Sequence, residues 1–248
     1  MPFLSADSLS LVDIAMLAVI VIGLPIEALF NLKKARLELA SGKPGVRIKH
    51  YTQTILLLWG ISLPIIVLWA SGDRAWGLLG FDLQTGPIAL AGWGLAAAMC
   101  LFFVFQYASI ARSESARQEF RHGLEKNPNM SNFLPHTDAE RRLFNVLGIS
   151  AGIAEEIIFR GYLIWAFALF MPIWAAALAA LAVFTLLHLY QGANQLFGIF
   201  ILGALVTLVF LLSGSIWPAI AVHIFVDVIN NQTVWKARAP ASPGLQAA

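Results

Sequence analysis

Eight polar or charged residues stand inside otherwise apolar stretches in the second half of the chain: Glu155, Glu156, Arg160, His188, His223, Asp227, Asn230 and Asn231. Their neighbours are mostly Ala, Leu, Ile, Val and Phe. One ionisable group at the centre of a bilayer costs at least ~2.5–3.5 kcal/mol. Several of them between positions 155 and 227 therefore call for a chemical reason. Glutamate and histidine together suit the activation of water by a general base and the return of its proton to a leaving group.

The stretch Ala154-Glu155-Glu156-Ile157-Ile158-Phe159-Arg160-Gly161 is the densest of these motifs. On a helix, Glu156 and Arg160 are four apart with the acid first, the better order for an ion pair. Glu155 is rotated from Glu156 by roughly 100° and cannot share that pair equally. The spacing thus separates a self-compensating pair that positions the helix from a lone carboxylate in a low-dielectric site, the setting of a general base. The competing reading places all three in one structural charge network.

His188 ends the run Phe184-Thr185-Leu186-Leu187-His188. A single histidine near a helix end is a weak signal, but a tight turn near Phe170–Pro172 strengthens it. Glu155 and His188 lie at matching distances of ~22–24 Å from that turn, at 1.5 Å per residue, and are expected to meet across the hairpin. In the last apolar run, His223, Asp227, Asn230 and Asn231 fall on one stripe, which must face protein or a water-filled cavity. Counted from Pro218, His223 is only ~8 Å from the outer boundary, well above Glu155. Either the Ser213–Trp217 connection dips into the membrane or the helices tilt strongly.

The elements that must position these groups are membrane helices. The chain has 248 residues, 59% hydrophobic and 12% charged, with mean hydropathy +0.76, against roughly 25% charged for a soluble domain. The expected fold is an all-α polytopic transmembrane bundle of about seven spans, near 9–30, 51–71, 88–110, 143–168, 172–190, 195–212 and 218–234. With these spans, 14 of the 16 Lys and Arg fall on one side, Arg74 lies opposite and Arg160 is inside a span. The positive-inside rule makes that side cytoplasmic, with the N-terminus outside and the C-terminus inside. The basic loops are topological, with attraction to anionic lipid as a secondary effect, and a nucleic-acid partner is excluded.

Residues 1–137 are expected to form scaffold spans and cytoplasmic loops, 138–234 the catalytic core, and 235–248 a short disordered tail. Asp13 and Glu27 are expected to snorkel or pair locally. The segment 72–87 suits an interfacial element with an aromatic anchor. Thr137-Asp138-Ala139-Glu140 resembles a helix start. A cleavable signal peptide is not expected, because the first apolar run carries Asp7 and Asp13 and no basic flank. Cys100 is the single cysteine, which excludes an internal disulfide.

Two adjacent glutamates spaced to an arginine, then Phe-x-x-x-His, then His-x-x-x-Asp resemble the signature motifs of the CPBP family. This is the family of intramembrane proteases that includes the CAAX prenyl endopeptidases and the bacteriocin-processing (Abi) proteins. The likeness covers about 138 to 231. It implies a multi-helix membrane protease with a cavity open to the cytoplasm, in which Glu155 and His188 activate water. It further implies that His223 and the residue four later stabilise the oxyanion. That later position is typically Asn in the prenyl endopeptidases and is Asp227 here. A carboxylate is a poor oxyanion donor, so orienting His223 is the better role for Asp227. Glu156, Arg160 and Asn231 are assigned to positioning.

The reading is an endopeptidase of the bacterial cytoplasmic membrane acting on a membrane-associated protein or peptide, prenylated CAAX-type proteins being the family's best-defined substrates. Metal-free glutamate catalysis is preferred. Zinc or another divalent metal would instead use Glu155, His188 and His223, with a fourth position open for water. The alternatives are a catalytically silent immunity or interaction protein on the same fold, and a proton-coupled transporter. The transporter would favour repeated halves, and the sequence contains no internal repeat.

Overall fold

A computed structural model describes residues 9–238, which are all helix and turn with no strand among them. Helix α1 is Leu11–Ala40, with a π-helical stretch at Val19–Gly23. Helices α2 (Val46–Ser71) and α3 (Pro87–Arg112) follow. Two shorter helices, α4 (Glu114–Glu125) and α5 (Pro128–Phe133), lie in the segment read as a cytoplasmic loop. Helix α6 runs over Asp138–Glu155, continues as π-helix over Glu156–Leu163 and closes as Ile164–Ala168. Helices α7 (Ile173–Gln191), α8 (Ala193–Ser213) and α9 (Ile216–Arg238) complete the bundle.

Five helices, α1, α2, α3, α7 and α8, are long and apolar enough to cross a membrane. The expected seven included α6 and α9, which fall outside that group and carry Glu155, Glu156, Arg160, His223 and Asp227. Both lie in the interior of the bundle: α6 packs on α2, α7 and α9, and α9 packs on α3, α6 and α8. A helix shielded from lipid by its neighbours does not need an apolar surface all round.

The start of α6 is the one anticipated. Thr137 accepts from the Glu140 backbone and Glu140 returns the bond to Thr137, a reciprocal cap that satisfies two otherwise orphaned N–H groups. Glu140 is also paired with Arg47 of α2 at 3.1 Å, and the Tyr51 hydroxyl donates to the Phe133 carbonyl. These bonds tie α2, α5 and α6 together at one end. Arg238 adds bonds to the carbonyls of Pro135 (2.8 Å) and Ser131 (3.2 Å). Helix α9 therefore continues past 234, and residues 235–238, given to a disordered tail by the sequence, are helical because Arg238 anchors them. Residues 239–248 of that expected tail lie outside the described residues.

At the other end Asp13 is fully buried and holds Arg74 through two bonds of 2.9 and 2.6 Å, while Tyr162 donates to Asp13 at 3.1 Å. Arg74 lies over the rings of Trp69 and Trp165. Asp13 thus pairs rather than snorkels, and Glu27 accepts from Asn31 one turn away. The 72–86 segment supplies an aromatic group in which Phe81 meets both Trp76 and Trp217 edge-on.

That segment also settles the depth of His223. Ser213, Ser215 and Ile216 are fully buried, and the Ile216 N–H donates to Gly80 at 2.7 Å. A Cβ at Gly161 would meet the Leu79 carbonyl at 3.2 Å and Ile216 Cδ1 at 3.6 Å. The α8–α9 turn is therefore level with Gly161, while α6 continues to Ala168, about 10.5 Å further. From that level Glu155 and His223 lie roughly 9 and 10.5 Å away along their helices. The connection dips inward, and the two groups reach the same depth.

Candidate active site

Two glycines bring α9 against α6. A Cβ at Gly148 would come within 2.9 Å of Asp227 Cβ, and one at Gly152 within 2.5 Å of Ile224 Cγ1 and 2.8 Å of its backbone nitrogen. This Gly-x-x-x-Gly spacing lets two membrane helices touch backbone to side chain. The sequence reading passed over it, although the signal is visible in Gly148-Ile149-Ser150-Ala151-Gly152. One turn earlier, Asn231 donates to Asn145 Oδ1 at 2.6 Å and to the Arg141 carbonyl at 3.1 Å, fixing the register.

Glu156 and Arg160 are buried and 2.9 Å apart. They lie in the π-helical part of α6, a local widening often found at functional sites. The remaining donors of Arg160 reach Thr207 Oγ1 (3.3 Å) and the Gly203 carbonyl (3.1 Å) on α8, and its guanidinium covers the Phe184 ring at 4.6 Å. Thr207 in turn donates to Gly203 at 2.7 Å. Neither Thr207 nor Gly203 was singled out from the sequence, since a lone Thr and Gly in an apolar helix give no signal of their own.

His223 Nδ1 donates to Glu156 Oε1 at 2.6 Å. The bond that orients the ring therefore comes from Glu156 on α6. Asp227, expected to do so, is instead 3.8 Å from Nε2. The facing helix brings Glu156 to hydrogen-bond distance of the ring, which the i,i+4 approach of Asp227 along α9 does not reach. Nε2 is also 4.0 Å from Glu155 Oε2, a buried oxygen with no hydrogen-bond partner among the described residues.

His188 begins the 3-10 turn that ends α7, and its Nδ1 lies 2.8 Å from the Phe184 carbonyl. A carbonyl only accepts, so Nδ1 carries the proton, and in the neutral ring Nε2 keeps its lone pair. His188 and Glu155 line one cavity of about 390 Å³, together with His223, Asp227, Asn230 and Asn231. No hydrogen bond joins Glu155 to His188. They face common space, which Phe120, Leu124 and Asn127 of the α4–α5 segment also line. Asn127 is held there by a 3.0 Å bond to the Gln191 carbonyl.

Among the described residues no three His, Cys, Asp or Glu side chains, Glu155, His188 and His223 included, stand close enough together to hold a metal ion.

Fold and site define a multi-pass helical membrane protein with a cavity lined by carboxylates and imidazoles. Residues 141–229 match the family model described as Type II CAAX prenyl endopeptidase Rce1-like, a stretch that contains all three motifs. The resemblance read from those motifs is thereby shown over that segment, and the family is one of CAAX-type proteases. Comparison with the curated proteins and with the solved structures gave no match.

Proposed function

We propose that this chain is an intramembrane endopeptidase that hydrolyses a peptide bond of a membrane-associated protein or peptide, with prenylated CAAX-type proteins as the substrate class. One observation carries the reading: Glu155 presents a buried, unpartnered carboxylate oxygen on the wall of a cavity it shares with His188 and His223.

In this reading a water sits between Glu155 and the lone pair of His188 Nε2. Glu155 takes a proton as the water oxygen bonds to the carbonyl carbon. His223, carrying a proton on Nε2, donates to the oxyanion that forms. Collapse breaks the C–N bond, and the proton held by Glu155 passes to the leaving amine. Glu156 holds His223 by Nδ1, and Arg160 balances the charge of Glu156. Asp227 shapes the field around Nε2, and Asn231 fixes the register of α9. No metal is needed for these steps.

The proposed topology counts α6 and α9 with the five apolar helices, giving seven spans with the N-terminus outside and the C-terminus inside. The proposed location is the cytoplasmic membrane of a bacterium.

The test compares protein termini by mass spectrometry in membranes containing wild type or Glu155→Gln. New termini that require Glu155 support the reading. Identical termini, with the variant equally abundant and folded, overturn it in favour of a non-catalytic immunity or interaction role.

A further inference from the structure

A second cavity, of about 410 Å³, lies outside the candidate active site, between α1, α2, α5 and the end of α7. Its lining is graded. On α1 it passes from Pro25, Ala28 and Leu29, with Glu27 held by Asn31 beside them, to Lys34 and Arg36; on α2, in the opposite direction, from Leu57 through Thr54 and Gln53 to His50 and Lys49. The two helices are joined at their charged ends, so both gradients point the same way. From Leu29 to Arg36 and from Leu57 to Lys49 the change takes about 10–12 Å, the step from acyl chain to headgroup at one edge of a bilayer. At the apolar end Leu29, Leu57 and Leu186 are 51%, 47% and 44% exposed, as befits side chains that face lipid. At the polar end Glu38 is 3.1 Å from Lys49 and 3.2 Å from His50, while Asn129 and Asn132 of α5 add uncharged amides.

We infer that this crevice binds an anionic phospholipid of the surrounding bilayer, its acyl chain along Leu29, Leu57 and Leu186 and its phosphate between Lys34 and Lys49. The occupant follows from complementarity: an apolar slot that ends in cations matches an amphiphile with an anionic head. The crevice is a separate site, though it shares Thr54, Phe133 and Tyr190 with the Glu155 cavity as a common wall. Arg36 secures that wall by donating to the Leu189 carbonyl at 2.8 Å, next in sequence to His188. The inference does not depend on proteolysis.

The test is native mass spectrometry of the full chain released from detergent, with phosphatidylglycerol or phosphatidylcholine added. Wild type is expected to retain phosphatidylglycerol in preference, and Lys34→Gln with Lys49→Gln to weaken that preference by about fivefold per lysine. Lys43→Gln, on the loop between α1 and α2 and outside the crevice, is expected to leave it unchanged. Ala28→Trp, which fills the apolar end, is expected to abolish retention of both lipids. Equal retention of the two lipids by wild type overturns the inference. An equal loss in Lys43→Gln does so as well, because it signals diffuse surface attraction. Displacement of the phospholipid by a farnesyl-cysteine ester would also overturn it, by assigning the crevice to the lipid of the substrate.

Discussion

Glu156 Oε1 accepts the Nδ1 proton of His223 at 2.6 Å, across the contact between α6 and α9. The same oxygen accepts from Arg160 at 2.9 Å. One carboxylate thus fixes a histidine on a neighbouring helix while its own charge is balanced four residues along. The adjacent glutamate is left facing the cavity, so neighbours in sequence have separate chemical tasks.

Glu156→Ala leaves the Arg160 guanidinium buried without its acid. Removing one partner of a buried pair costs about 3–5 kcal/mol, so thermal unfolding in a fixed detergent is expected well below wild type. Glu155→Gln, which breaks no ion pair closer than the 4.0 Å approach to His223, is expected to unfold close to wild type while cleavage falls by about 10²–10⁴-fold. Equal destabilisation of the two variants would return both residues to one structural network.

Thr207→Val removes the acceptor for Arg160 Nε in a side chain of nearly the same shape. A hydrogen bond to a charged group contributes about 1.5–3 kcal/mol, and a tenfold or larger drop in kcat with KM unchanged is expected. Thr207→Ser keeps the hydroxyl and should recover most of the rate. If Ser and Val behave alike, Thr207 only fills space.

Gly152→Ala forces a methyl group against the Ile224 backbone. Overpacking of this kind costs about 1–3 kcal/mol, and cleavage should fall as α9 is displaced. Gly94→Ala on α3, where a Cβ meets nothing within 4 Å, is the comparison. It is expected to be neutral or stabilising, since alanine favours helix by about 1 kcal/mol over glycine. Melting temperatures of both variants decide the matter.

Glu140, in the first turn of α6 ahead of the membrane-spanning part, gives a pH dependence with a definite sign. Burial alone would raise its pKa. The His136 and Thr137 N–H groups and the Arg47 guanidinium outweigh that and hold it below the ordinary glutamate value. A depressed folded-state pKa adds stability above the unfolded pKa and loses it as pH falls through the folded one. Acid unfolding of Glu140→Gln is therefore expected to be flatter than that of wild type below the ordinary glutamate range. Parallel curves would show that Glu140 does not couple to folding.

Much of this arrangement is legible in the chain, because the signals are local. The Thr137 cap, the Glu156–Arg160 pair and the turn before Pro172 each depend on residues within a few positions. The partners of Arg160 on α8 and the hold of Glu156 on His223 join residues 43 to 67 positions apart. Helical spacing gives the face on which a side chain lies but not what the opposite face presents. The span count was blurred for a related reason: α6 and α9 carry the polar load and have neighbours, not composition, to shelter them from lipid.

The sequence by itself determined that this is a membrane-embedded chain with a Glu-Glu…Arg, His and His…Asp constellation. Composition, charge and one-helix geometry are properties of the covalent order. Only the tertiary structure decided which carboxylate orients His223, that the α8–α9 turn dips to the level of Gly161, and that Gly148 and Gly152 let α9 approach. Each of these is a distance between helices, set by how closely their surfaces pack, and no spacing along a single chain encodes it.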